Sequence, residues 1–154
     1  MITFQNELTE LGVICITAAE NDGVYQEHIK FPASDKNVIS VGARQATGQL
    51  SSINPLGNID VYAPGEDIKV SDYVFTGTSA AAPIVAGITV LLLQCGNRWQ
   101  SESRTKLRKV DVLRKIFDNM KAPGKDLFAP HTLLQRLWKD PGEVRAVLSD
   151  YIKL

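Results

Sequence analysis

Residues 79–94 form the most apolar continuous stretch of the chain, and they constrain its fold more than any other segment. The stretch reads Ser-Ala-Ala-Ala-Pro-Ile-Val-Ala-Gly-Ile-Thr-Val-Leu-Leu-Leu-Gln. A helix that is apolar nearly all round belongs inside its protein. Pro83 fits a first turn, where its missing N–H costs nothing, and Gly87 would let the helix approach a sheet closely. Because the stretch is short and interrupted by these two residues, we expect a buried central helix rather than a membrane span.

Three runs rich in β-branched residues precede this helix, at 13–19, 37–43 and 59–63. Each run is apolar on both faces, which is typical of strands covered on both sides in a parallel sheet. The segments between them are rich in Asn, Asp, Ser, Gly and Pro and are predicted to be loops. Residues 1–12 resemble the end of a helix terminated by Gly12, and residues 70–75 suit a short hairpin. The pattern predicts an α/β fold.

Beyond Gly96 the pattern changes to amphipathic helices, which we expect at 107–120, 130–139 and 141–153. The last of these has a clear start signal in Asp140 followed by Pro141. We divide the chain into a sheet-and-helix unit, 1–98, and a helical C-terminal extension, 99–154. Packing of the extension on the first unit is favoured over binding of a partner.

Composition narrows the classes of partner. The 154 residues carry 17 basic and 17 acidic side chains. No overall field favours nucleic acid or an anionic membrane, so neither is expected as a partner. No signal peptide or membrane-spanning segment is recognised, so an intracellular location is the default and the compartment stays open. Cys15 and Cys95 lie among apolar residues and are expected to be buried free thiols.

Ser79 is the candidate nucleophile, in the segment Gly77-Thr78-Ser79 at the entrance of the apolar helix. A serine hydroxyl reacts only when a base takes its proton and donors hold the oxyanion. The N-terminus of a helix supplies unpaired N–H groups and a positive dipole end. Taken alone, the segment favours a simple N-cap made by Thr78 or Ser79 over a nucleophile.

Four blocks in order make the serine segment specific. From about Leu11 to Gln94 the chain resembles the subtilisin-like serine peptidases, the subtilases. The blocks are 18–23 (Ala-Ala-Glu-Asn-Asp-Gly), 31–43 (beginning Phe-Pro-Ala and ending Asn-Val-Ile-Ser-Val-Gly-Ala), 51–65 (beginning Ser-Ser and ending Asp-Val-Tyr-Ala-Pro-Gly) and 76–87 (Thr-Gly-Thr-Ser-Ala-Ala-Ala-Pro-Ile-Val-Ala-Gly). A simple α/β binding domain unrelated to peptidases would require all four to be accidents.

The resemblance implies a serine endopeptidase that forms an acyl-enzyme on polypeptide substrates. The fold it implies is part of a subtilisin-like parallel sheet with a buried central helix, followed by the C-terminal helices. Ser79 would be the nucleophile, and Asn21 would donate to the oxyanion together with the Ser79 backbone N–H. The implied substrate-binding residues are Ala18, Ala19, Glu20 and Thr78. No cofactor is implied. Many subtilases bind calcium, but no ligand set can be carried over to this chain.

The Asp and His of the catalytic triad are missing from their expected place. In the family both precede the Asn box, but the twenty residues before Asn21 contain neither. His28 is expected to be a solvated loop residue and His131 a residue at a helix start. Loss of the base removes most of the rate of a serine peptidase. We therefore expect the chain alone to be inactive, and expect Asp and His to come from an N-terminal half or a complementing chain.

Two further features separate this chain from the family pattern. The run 13–19 would lie at an open sheet edge, and such edges pair with other chains. A fragment of a longer peptidase, a split enzyme, and a catalytically inactive pseudo-peptidase acting as an interaction module all fit this. Glu20 stands where the family has Gly, beside the expected specificity pocket. It would narrow the pocket, favour a basic substrate residue, or point to solvent.

Overall fold

The computed structural model describes residues 4–25, 27–99, 105–120 and 130–139. Its helices are α1 (Phe4–Glu10), α2 (Thr78–Trp99), α3 (Val110–Asn119) and α4 (Pro130–Lys139). Its strands are β1 (Cys15–Ala18), β2 (Val38–Arg44), β3 (Val61–Pro64), β4 (Ile68–Val70) and β5 (Tyr73–Phe75). The predicted helix at 141–153 lies outside the described residues.

Strands β1, β2 and β3 form a parallel sheet, as the sequence predicts, and they lie in the order β1-β2-β3. All seven residues of the central strand β2 are buried. Its register places Val38 opposite Cys15 and Val41 opposite Val61. In the part of the chain that the structure describes, β1 has no strand on its other side, and its residues are only half-buried. The sheet therefore has an open edge at β1.

Gly12 ends the first helical segment, as predicted. It has a φ of 71°, a conformation that glycine adopts without strain. The N–H of Gly12 donates to the Thr9 carbonyl at 2.9 Å, and the N–H of Val13 donates to the Leu8 carbonyl at 2.8 Å. These two bonds form a Schellman motif, which satisfies carbonyls at the helix end. The motif turns the chain directly into β1.

Helix α2 packs across all three strands of the sheet. The side that faces the core carries Ala81, Val85, Ile88, Leu92 and Cys95. The opposite side is exposed to solvent, and we call it the α2 stripe: Pro83, Gly87, Val90 and Leu91. Val90 is 62% exposed and Leu91 is 46% exposed. The expectation of burial all round is therefore wrong for this half of the helix, because no described residue packs on it.

Two details of α2 also differ from the sequence expectation. Gly87 does not face the sheet, since a Cβ built there would have nothing within 4 Å. The helix begins at Thr78, so Pro83 lies past the first turn and leaves the Ser79 carbonyl without its intrahelical N–H partner. The segment Thr78–Gly96 is long and apolar enough to cross a bilayer by length and composition. In the fold, its core-facing side is used instead to cover the sheet.

The residues after 105 complete the hydrophobic core. Seven side chains from 107–120 are buried with the sheet and α2 in one cluster: Leu107, Val110, Val112, Leu113, Ile116, Phe117 and Met120. Leu133 of α4 joins the same cluster. The cluster therefore crosses residue 98, and the division of the chain at that point stays a prediction.

Arg114 ties α3 to the sheet through four hydrogen bonds. Its Nε and Nη2 donate to the Asp60 carboxylate at 2.7 and 3.1 Å. Nη1 donates to the Lys36 carbonyl at 2.9 Å, and Nη2 also donates to the Val38 carbonyl at 2.8 Å. The same carboxylate accepts the N–H of Ser40 at 2.9 Å. This network fixes the start of β2 and the approach to β3.

Candidate active site

The tight turn at Gly77 presents Ser79 to solvent at the start of α2. Gly77 has a φ of 149°, which residues with a Cβ rarely adopt. Its N–H donates to the Gly65 carbonyl at 2.7 Å, so the turn is bonded to the loop that ends β3. Gly65 must itself be small, because a Cβ there would lie 2.6 Å from the Ala43 Cβ. The sheet therefore holds the turn that carries Ser79.

Asn21 lies just after β1 and is bonded to the same turn. Its side-chain Oδ1 accepts the backbone N–H of Thr78 at 2.8 Å and the Thr78 hydroxyl at 3.0 Å. The Thr78 hydroxyl also donates to the Glu20 carbonyl oxygen, at a distance of 3.2 Å. The Asn21 amide is thus oriented by its oxygen, and its Nδ2 has no acceptor among the described residues. The sequence analysis predicted that Asn21 and Thr78 belong to one site, and the structure places them in hydrogen-bonding contact.

The N-cap interpretation of this segment is wrong. Thr78 is fully buried and is already part of the helix. Its hydroxyl bonds to residues 20 and 21 rather than to an N–H of the first turn. Within the described chain, Ser79 Oγ makes no hydrogen bond. The serine hydroxyl is therefore exposed and available for chemistry.

Gly77 lies between Ser79 Oγ and the side-chain amide of Asn21. A Cβ built on Gly77 would lie 3.0 Å from Ser79 Oγ and 3.2 Å from Asn21 Nδ2. Both atoms therefore face one small space, which the absence of a side chain keeps open. The N–H groups of Ala80 and Ala81 donate to the Gly77 carbonyl, while that of Ser79 has no acceptor in the described part of the chain. Two N–H donors next to a hydroxyl form the arrangement that stabilises an oxyanion.

The other predicted substrate-binding residues differ in exposure. Ala18, at the end of β1, and Glu20 are half-buried, whereas the Ala19 side chain is fully buried. The Ala19 N–H donates to the Val41 carbonyl at 2.9 Å and continues the sheet pairing past β1. Ala19 and Thr78 can therefore offer a substrate little side-chain surface. Their role in substrate binding stays a prediction.

Lys30 is a site-adjacent residue that the sequence reasoning missed. Its Nζ lies 3.3 Å from Asp22 Oδ2 and 3.6 Å from Glu20 Oε2. It therefore spans the two acidic residues on either side of Asn21. No motif in the sequence signals this contact, because a lysine in a polar loop is indistinguishable from an ordinary surface residue.

An apolar cleft of about 380 Å³ adjoins Ser79 on the side of the β4–β5 hairpin. Its lining includes Ile68, Val70, Phe75, Ala80 and Pro83. A larger cavity of about 790 Å³ lies elsewhere, between the end of α1 and the start of α3. The larger cavity contains none of the predicted site residues. Of these two, the cleft beside Ser79 is the one lined by a predicted site residue.

Neither histidine activates Ser79 within the described residues. His28 and His131 are both exposed, and neither makes a hydrogen bond with the serine. Their predicted positions, in a loop and at the start of α4, agree with the structure. The described residues thus place no imidazole at Ser79.

The described residues include no group of three or more His, Cys, Asp or Glu side chains placed to hold a metal ion. No calcium ligand set can be assigned in this part of the chain.

Three known proteins that resemble this chain are subtilisin-like proteases or other proteinases. Subtilisin-like protease 2 of Pseudogymnoascus destructans is 38% identical over 93 residues, which cover 55% of this chain and 23% of that protein. Proteinase T of Parengyodontium album is 33% identical over 100 residues, covering 61% of this chain and 34% of that protein. The solved structure of the prenylagaramide maturation protease PagA superposes with a TM-score of 0.60 at 26% identity, covering 80% of this chain and 47% of that one.

Residues 3–126 match the subtilase family. The chain therefore belongs to the subtilases, a family of serine-protease hydrolases, and its fold is the subtilisin-like α/β fold. It spans about a quarter to a third of the length of these two curated relatives. The family match extends past residue 98 and includes α3.

Proposed function

We propose that the chain is part of a serine-type endopeptidase that cleaves polypeptides through an acyl-enzyme on Ser79. The contact between Asn21 and Thr78 carries this proposal. It orients the Asn21 amide so that Nδ2 and Ser79 Oγ face the same space beside Gly77. In the family, a hydroxyl and an amide N–H in this arrangement act together. The hydroxyl oxygen attacks a substrate carbonyl carbon, and the N–H stabilises the oxyanion that forms on the carbonyl oxygen.

The proposed reaction begins when Ser79 Oγ attacks the substrate carbonyl carbon. An imidazole takes the hydroxyl proton, and the carbonyl oxygen becomes an oxyanion held by Asn21 Nδ2 and the Ser79 N–H. When the intermediate collapses, the C–N bond breaks and the imidazole gives the proton to the leaving amine. Water then attacks the ester on Ser79 while the imidazole takes a proton from the water. The imidazole gives this proton to Ser79 Oγ, which leaves as the ester C–O bond breaks. The chain supplies the nucleophile and the oxyanion donors.

The Asp and His are proposed to come from an N-terminal segment or a second, complementing chain. Two surfaces of the described fold support this arrangement. The β1 edge has unpaired backbone groups, which can accept another strand. The α2 stripe is apolar and begins at Pro83, one turn from Ser79. A helix packed on the stripe would bring its own side chains next to the nucleophile.

A fluorophosphonate probe tests the proposal directly, because it labels only an activated serine. The 154-residue chain alone is expected to remain unlabelled. The chain co-expressed with an N-terminal subtilase segment that carries Asp and His is expected to be labelled at Ser79, and Ser79→Ala to abolish the labelling. Labelling of the chain alone at the rate of ordinary serine hydrolases would contradict the assignment of the missing base. A stable complex that stays unlabelled would contradict the peptidase proposal.

The second candidate is an inactive pseudo-peptidase that serves as a protein-interaction module. The absence of a base near Ser79 in the described residues favours it, as does the strained Glu20 beside Asn21. Intact oxyanion donors have no obvious use in such a module. Binding of a partner that survives Ser79→Ala and Asn21→Ala, without any labelling, would select this alternative.

A further inference from the structure

Asn54 binds the backbone at the end of β2 with both halves of its side-chain amide. Its Oδ1 accepts the Ala43 N–H at 2.7 Å, and its Nδ2 donates to the Ala43 carbonyl at 2.8 Å. Nδ2 also donates to the Ser51 carbonyl at 2.8 Å. One side chain therefore fixes residues 51–54, which we call the 51–54 segment, to the sheet.

Ala43 connects this segment to the turn that carries Ser79. The Ala43 side chain is fully buried and lies against Gly65, where a Cβ would come within 2.6 Å of the Ala43 Cβ. The Gly65 carbonyl accepts the Gly77 N–H at 2.7 Å, and Gly77 is two residues before Ser79. Because close-packed groups transmit displacements, a shift of Ala43 would move the turn.

The same segment is bonded to the residues that follow Asn21. The Gly23 N–H donates to the Ile53 carbonyl at 2.9 Å. A Cβ built on Gly23 would lie 2.9 Å from the Ser52 carbonyl oxygen, so the two backbones are in close contact. Since Gly23 is two residues after Asn21, the position of the 51–54 segment limits where the Asn21 amide can lie.

We propose that Asn54 is a positioning residue for the candidate site. It holds the 51–54 segment between Asn21 on one side and Ser79 on the other, so that Asn21 Nδ2 and Ser79 Oγ keep facing the same space. Loss of its three hydrogen bonds should let the segment move while the core stays folded. The consequence for catalysis rests on the proposed function, which needs a hydroxyl and an amide N–H at a fixed separation.

Nuclear magnetic resonance of the 154-residue chain tests this placement without requiring catalysis. The reporters are the Thr78 backbone N–H, which donates to Asn21 Oδ1, and the NH2 of the same Asn21 amide. In Asn54→Ala, both signals are expected to shift, while that of Leu92, on the core-facing side of α2, stays in place. A purely structural role would lower the melting temperature but leave the reporter signals of the folded chain unchanged.

Two controls separate placement from stability. Asn58→Ala removes an exposed amide from the same loop, one that makes no hydrogen bond among the described residues, and should leave both reporters unchanged. Arg114→Ala lowers stability through a different network and should also leave them unchanged. Asn54→Asp keeps an acceptor for the Ala43 N–H but loses the donor to two carbonyls. It should shift the reporters as Asn54→Ala does, and it serves if the alanine variant does not fold.

In the complemented enzyme, Asn54→Ala is expected to lower kcat about 10- to 100-fold, with KM changed by less than about threefold. Unchanged reporters in a folded Asn54 variant, equal shifts in Arg114→Ala, or failure of both Asn54 variants to fold would each overturn the proposal. Shifted reporters with a normal kcat would retain the peptidase and refute the positioning role. Failure of the complemented natural chain to label at Ser79 would count against the proposed function alone, because the reporters are read in the chain by itself.

Discussion

The side-chain oxygen of Asn21 accepts the backbone N–H of Thr78 across 57 residues of sequence. This bond joins the end of β1 to the first residue of α2. It uses the acceptor half of the Asn21 amide, and the donor half is left for a ligand. One side chain thus both joins the two segments that form the site and leaves an N–H donor facing it.

Asn21→Asp separates these two functions. The aspartate keeps an oxygen for the Thr78 N–H but has no N–H to donate to an oxyanion. In the complemented enzyme, kcat is expected to fall about 10²- to 10³-fold with little change in KM. The melting temperature of the chain should change little. A kcat close to that of the natural sequence would show that Asn21 is not an oxyanion donor.

Thr78→Val tests the buried hydroxyl. Valine keeps the shape of the side chain but leaves the Glu20 carbonyl and Asn21 Oδ1 without the hydroxyl donor. We expect a loss of about 1–3 kcal/mol in the free energy of unfolding, measured by urea denaturation. Thr78→Ser keeps the hydroxyl and should lose less. If both variants were equally stable, these hydrogen bonds would not hold the site together.

Gly77→Ala should disable the site by two effects. The residue has a φ of 149°, so any side chain introduces strain, and the new methyl group would lie 3.0 Å from Ser79 Oγ. Fluorophosphonate labelling of the complemented enzyme is expected to fall by at least about tenfold, with a loss of about 1–3 kcal/mol in stability. Gly87→Ala is the control, because a Cβ there meets nothing within 4 Å. Normal labelling of Gly77→Ala would contradict the geometry of the turn.

Leu91→Glu tests the α2 stripe as the docking surface for the segment that supplies the base. A charge in the middle of an apolar interface is expected to weaken complementation about tenfold or more, measured by titrating the N-terminal segment against labelling of Ser79. The fold of the chain alone should be unaffected, since Leu91 is 46% exposed. Gln94→Glu adds the same charge on the same side without removing an apolar group, so it should weaken complementation less. Equal effects of the two variants would argue against an apolar contact at this surface.

Arg114→Ala should destabilise the fold without touching the candidate site. It leaves the Asp60 carboxylate and two backbone carbonyls without their guanidinium donors. We expect a loss of about 2–4 kcal/mol in the free energy of unfolding by urea denaturation. Lys115→Ala, an exposed position on the same helix, should change stability by about 0.5 kcal/mol or less. If the free energies of unfolding of the two variants differed by less than about 0.5 kcal/mol, the hydrogen-bond network of Arg114 would contribute little to stability.

The resemblance to the subtilases placed Ser79 and Asn21 in one predicted site, because the blocks that carry the resemblance each lie in consecutive residues. The structure places the two residues on either side of Gly77, and their roles stay a prediction. The three strands and their parallel direction followed from runs of β-branched residues that are apolar on both faces. Gly12 was recognised as a helix end because only a few residues can close a helix in the left-handed conformation.

Features that depend on distant residues were not predictable in the same way. The bonds of Arg114 to Asp60 and Val38 join residues 54 and 76 positions apart, and an arginine on a surface helix gives no sign of them. Lys30 lies near Glu20 and Asp22 in the sequence but was missed because a lysine in a polar loop gives no sign of such contacts. The exposure of the α2 stripe was missed because an apolar residue shows that a surface can be buried, but not which polypeptide buries it.

The burial of Leu107, Leu113 and Phe117 against the sheet has a consequence for the order of synthesis. These side chains fill the core beneath the strands that hold Asn21 and the Gly77 turn. On the ribosome, residues 1–99 emerge before residues 107–120, so Ser79 and Asn21 appear while part of their supporting core is still untranslated. The active-site half is therefore expected to stay incompletely packed until residues 107–120 emerge. The turn that carries Ser79 is therefore expected to become fixed only after residues 107–120 have been translated.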